Sequence, residues 1–145
     1  MASGPTEIMA AMATGLATVT NLSSARVSVN DWKVQNQPYS VLIFPSLGGR
    51  QEKATFDGWD LTHRITCKLR IRDNDPQGLY TKSATMIPLI LTWFRANDRL
   101  GLADVATCHG EPLTWSSPTG DAVLDDGGGV LSKETDFTIS VTVQV

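Results

Sequence analysis

Phe137-Thr138-Ile139-Ser140-Val141-Thr142-Val143-Gln144-Val145 decides how this chain is read. Apolar Phe137, Ile139, Val141, Val143 and Val145 alternate strictly with Thr138, Ser140, Thr142 and Gln144. A period of two sends alternate side chains to opposite faces of a strand, one into a core and one into a polar setting. β-branched residues dominate the run, which suits a pleated surface. A chain stopping on such a strand is expected to have its C-terminus built into a sheet.

Working backwards, Trp59 to Arg72 is the longest strand candidate. Leu61, His63, Ile65, Cys67, Leu69 and Ile71 share one face; Thr62, Arg64, Thr66, Lys68, Arg70 and Arg72 share the other. Pro38 to Pro45 forms a second strand. Its continuous apolar run Val41 to Phe44 suits a strand covered on both faces. Ser46 to Gly58, with Gly48, Gly49 and mixed charges, reads as a mobile loop. Arg26 to Trp32 reads as a further short strand. Ala106–His109 and Leu113–Ser116 give a broken strand region split by Pro112. Ser116 to Gly129 is turn-rich, and the C-terminal strand follows it.

Two segments carry helical spacing instead. From Pro5 to Val19 an apolar stripe of Ile8, Met9, Met12, Leu16 and Val19 recurs, with Pro5 and Glu7 suited to the first turn and Gly15 weakening the middle. From Pro76 to Asn97 the stripe is Leu79, Ser83, Met86, Ile87, Ile90, Leu91 and Phe94, and Pro88 within it predicts a kink or a break. The expected fold is α+β, a mixed or antiparallel sheet packed against two helices in the order α-β-β-β-α-β-β. At 145 residues it is one domain, 1–145, able to bury its own core.

Net charge is −3, without the basic excess of a free-standing nucleic-acid binder. Met1-Ala-Ser-Gly-Pro5 has no basic start leading into a long apolar core, so no signal peptide is expected. The run Met86-Ile-Pro-Leu-Ile-Leu91 is too short to span a bilayer, so no membrane is expected as a partner. The two cysteines, Cys67 and Cys108, are expected as free thiols of a cytosolic protein.

Candidate chemistry is sparse. His63, Cys67, Cys108 and His109 are zinc-ligand types, but they lack the close paired spacings of zinc sites. His63 and Cys67 also alternate with core residues. A Cys108–His109 dyad with Asp104 or Glu111 has no oxyanion-hole motif beside it. Asp125-Asp126-Gly127-Gly128-Gly129 lacks the Lys-Ser/Thr pair of a phosphate loop and leads into a strand. No cofactor is expected, and no catalysis. The strongest local pattern is basic: Arg64, Lys68, Arg70 and Arg72 on one strand face, with Arg50 and Lys53 just before it. Such a run is commonly a solvated face paired with neighbouring carboxylates; it also suits contact with DNA or an ion-paired subunit seam. Four tryptophans are many for this length, and Trp59 and Trp115 sit at strand and loop margins where interface anchors occur.

The layout of nearly the whole chain resembles the tail terminator, or tail-completion, proteins of long-tailed bacteriophages. The resemblance rests on the helix Thr6–Val19, Leu42-Ile-Phe-Pro45, His63-Arg-Ile-Thr-Cys-Lys-Leu-Arg-Ile-Arg72, the long helix ending Leu91-Thr-Trp-Phe94, and Asp136 to Val145. It implies a virion protein of the tail or neck, assembled in the host cytoplasm. Such a protein forms a ring, expected as a hexamer, that caps the tail tube and joins it to the head. Its implied partners are further copies of itself, the tail tube protein, a head-tail connector or stopper protein, and non-specifically the DNA passing through the lumen. On that reading the loops holding Gly48, Gly49, Asp125 and Asp126 contact neighbouring rings, and the basic strand face lines the lumen or a seam. The alternatives are a head-to-tail connector, a small metal-binding or enzymatic module built on Cys108 and His109, and a nucleic-acid-binding module.

Overall fold

The computed structural model describes residues 3–30, 37–53, 59–108, 114–116, 123–124 and 131–144; for 47–53, 59, 114, 116 and 123–124 the description is of the backbone. The alternating C-terminal run is the middle of the sheet. Strand β7 (Leu131–Gln144) pairs antiparallel along its whole length with β3 (Trp59–Asp73). On its other side it takes β4 (Val105–Thr107), β5 (Thr114–Ser116) and β6 (Val123–Leu124) in turn. Strand β2 (Tyr39–Lys53) pairs antiparallel with β3, and β1 (Val27–Val29) runs parallel to β2. The main path is β1-β2-β3-β7-β4, a mixed sheet. Fold class and element order are those read from the sequence.

Two helices cover one face. Helix α1 (Pro5–Leu16) packs on β1 and β2; α2 (Pro76–Ala96) packs on β3 and β7. Beneath them lie Ile8, Met12, Leu16, Ile43, Ile65, Leu69, Ile71, Leu79, Met86, Ile90, Phe94, Phe137, Ile139, Val141 and Val143, all buried. Each fully buried apolar side chain contributes about 1.5–3 kcal/mol. The five such residues of α2 (Leu79, Met86, Ile90, Leu91 and Phe94) therefore outweigh its modest intrinsic propensity.

The helix ends are held locally. Asp75 Oδ1 accepts from Gln77 N at 3.2 Å, satisfying an amide of the first turn of α2. Asp73, paired with Lys82 at 3.0 Å, lies against Gly78, where a Cβ would overlap its carboxylate. At the far end the Cys108 thiol donates to Asn97 O at 3.0 Å, closing a C-terminal carbonyl. For α1, the Glu7 carboxylate accepts from Gly4 N at 3.0 Å, and Asp104 accepts from both Ser3 N and Ser3 Oγ.

Several expectations need correcting. Helix α1 stops at Leu16, not Val19, because Thr18 N and Val19 N turn to carbonyls three residues back and Asn21 takes φ 70°. Strand β1 is short, Val27–Val29, and ends at Asn30 with φ 55°. Pro88 does not break α2: it sits on the exposed side, where its missing donor leaves a carbonyl open to solvent. The supposed loop Ser46–Gly58 is strand as far as Lys53. Gly48 and Gly49 are therefore strand residues, as are Arg50 and Lys53; pairing with Trp59–His63 across β3 overrides the glycines. The register shift between Pro45 and Gly49 is a bulge that absorbs Gly48, and pairing resumes with Gly49 opposite His63. Val123–Leu124 in the turn-rich segment pair with β7, whereas Asp125 and Asp126 lie outside the described residues.

Candidate assembly surfaces

The sheet face away from the helices carries the basic run, and the structure divides it in two. Lys68 lies opposite Asp136 and Arg70 opposite Glu134 in the β3–β7 register. Lys68 Nζ is 3.2 Å from Glu134 and 3.5 Å from Asp136, and Arg70 Nε is 3.9 Å from Glu134. Cross-strand pairs of opposite charge stabilise a sheet, and here they neutralise the cations. Arg72 lies opposite Ser132, and its amide donates to Pro38 O at 3.0 Å. Arg64 differs. It is exposed, stands opposite Ser140, and faces the β2 bulge on its other side. No carboxylate among the described residues pairs with it. Its neighbours on the face are hydroxyls: Thr62 bonds Thr142 at 3.1 Å, and Thr66 bonds Ser46. On the same face Leu42 is buried, outside the helix-side core, as the unbroken run Val41 to Phe44 suggested.

The thiols lie inside the protein. Cys67 and Cys108 are free and buried. Burial, and then the neighbouring Cys108, pushes the Cys67 thiol far up. Cys108 is pushed up to about 12, by burial and then by Asp98. Both stay protonated near neutral pH, the unreactive form of a thiol. His109 lies outside the described residues, and among the described residues no group of three or more His, Cys, Asp or Glu could hold a metal. No helix among them is long and apolar enough to cross a membrane.

An uncovered strand stretch and exposed aromatics lie at the margins. β1 covers β2 only from Val41 to Ile43, so the outer side of β2 from Phe44 to Lys53 meets no strand among the described residues. Arg50 and Lys53 lie on that stretch by backbone, opposite Thr62 and Trp59. The side chains of Arg50, Lys53 and Trp59 are outside the description. Trp115 is 49% exposed on β5, opposite Phe137 and therefore on the helix side of the sheet. Tyr80 on α2 is 45% exposed, with Lys133 Nζ 5.5 Å above its ring. Sequence reading missed Tyr80 and the acids Glu134 and Asp136. The signal for Tyr80 was its place on α2 off the apolar stripe; for the acids, their alternation with Phe137 extended back along β7.

No family model matches this chain. No curated protein matches it either.

Proposed function

We propose that this chain is a structural subunit that closes into a ring, six-membered as the resemblance implies. The ring would cap a phage tail tube, end its growth and present it to the head, acting by assembly and not by catalysis. The observation that carries the reading is the margin of the molecule. A ten-residue length of β2 that meets no strand among the described residues, and two large exposed aromatics, are surfaces that an isolated protein ordinarily blunts or buries. A closed ring covers them without growing into fibres. The protonated, buried thiols agree with a protein that does no chemistry with them. The exposed Arg64 end of that sheet face would face the lumen or a subunit seam. There it would touch passing DNA through a few weak, salt-sensitive contacts.

The test is a capping assay. Adding the purified chain to polymerising tail tube protein should shorten the tubes as the ratio of chain to tube protein rises, with a ring at one tube end in electron micrographs. Tubes of unchanged length, bare at both ends, would overturn the reading. A ring that binds a head connector but not the tube would move the chain to the neck.

A further inference from the structure

We infer that Trp115 of one copy seats in a cleft between the two helices of the next copy, and that this contact is the head-to-tail joint of the assembly. The inference rests on the ring reading above. The cleft has a volume of about 430 Å³ and is lined by Ala10, Ala11, Thr14 and Gly15 of α1, by Trp93 of α2, and by Asn97, Leu100 and Gly101 beyond it. Its α1 wall is made of small side chains and faces the Trp93 indole, with Leu100 and Asn97 at one end, so it can take a flat aromatic group edge-on or stacked against Trp93. Its shape is fixed by close packing, because a Cβ at Gly15 would overlap the Trp93 ring.

The second copy is chosen as occupant because the same chain carries the complementary part. Trp115 is the most exposed large apolar side chain among the described residues, and it projects from a strand of three residues at the sheet margin. Cleft and tryptophan lie on opposite flanks of α2. Trp93 and Lys82 mark the flank facing α1 and Tyr39. Tyr80, near Lys133 of β7, marks the other, on the side where β5 pairs with β7. One chain therefore cannot fill its own cleft, and a contact between unlike surfaces repeats around a ring.

The experiment uses two variants of the full chain, Trp115→Ala and Thr14→Trp. The first removes the projecting ring and the second fills the cleft. Circular dichroism and cooperative melting establish that each is folded. Particle mass is measured under the conditions in which the native chain assembles. Each variant alone should lose the ring, with at least a tenfold rise in the concentration needed for association. An equimolar mixture should give dimers and stop there, because only one joint per pair is intact. Trp115→Phe should restore the ring. A ring formed by Trp115→Ala at native concentration, or a mixture with no dimers, overturns this joint and leaves the ring reading standing. A native chain that is monomeric alone and with tube protein overturns both.

Discussion

The two flanks of α2 have opposite characters. Toward α1 the helix makes fixed contacts at the edges of the cleft: Trp93 lies on Gly15 and edge-on to Phe94 at 5.0 Å between centroids, and Lys82 bridges Asp73 and the Tyr39 ring. Toward β5 the same helix presents Tyr80, Ala84 and partly buried Ile87, with exposed Trp115 rising from the sheet beside it. The inward stripe of Leu79, Met86, Ile90 and Phe94 is common to both. Fold stability thus draws on one flank and the interior. The other flank buries Leu91 and packs Ile87 on the core, while Tyr80 and Ala84 stay exposed, so its outer part contributes little to the single chain.

The largest effect expected from testing this contrast is at the shared interior. Phe94→Ala should cost about 3–5 kcal/mol in urea unfolding, the usual penalty for emptying a buried aromatic site, and should loosen both flanks together. Next comes the engaged flank. Gly15→Val forces a side chain into the Trp93 ring and should cost about 1–3 kcal/mol, with a changed tryptophan emission spectrum.

A smaller and pH-dependent effect belongs to Lys82. Its hydrogen bond, then the Asp75 amide, holds the Asp73 carboxyl below the usual carboxylate range. A depressed folded pKa stabilises the protein above the unfolded value and loses that contribution as pH falls through the folded one. The native chain should therefore weaken as pH drops below about 4. Lys82→Met should be less stable at neutral pH and show a shallower acid limb, so that the two curves approach each other in acid. Urea midpoints measured across pH check this.

The smallest effect is expected on the open flank. Tyr80→Ala and Trp115→Ala should each change the stability of the single chain by no more than about 0.5 kcal/mol, while Trp115→Ala weakens self-association. A loss of several kcal/mol from either would mean that this flank is part of the fold, and the contrast would fail.

Most of the fold was legible because alternation and helical stripes are read directly from side-chain chemistry. Phe137 to Gln144, Ile65 to Ile71, and the α2 stripe through Leu79 and Phe94 all lie where their periods put them. What was hidden depends on neighbours across space. Gly48 and Gly49 look like loop residues until pairing of β2 with β3 carries the strand past them through a bulge. Gly15 looks like a weak point in a helix until Trp93 is found lying against it. The basic face looked uniform along β3; only the register with β7 separates Lys68 and Arg70, neutralised by Glu134 and Asp136, from exposed Arg64. Of the candidate site, Trp115 was visible as a margin aromatic, whereas the cleft is made by residues from three segments and has no sequence signature.

The central claim, that unlike margins join copies into a closed ring, is tested most directly by the solution mass of the native chain. Light scattering on a sizing column would be run across concentration, alone and with tail tube protein. One discrete species near six times the 15.7 kDa chain is expected in at least one condition, with little between it and the monomer. A monomer throughout, a species that stops at two copies, or growth without limit would contradict it.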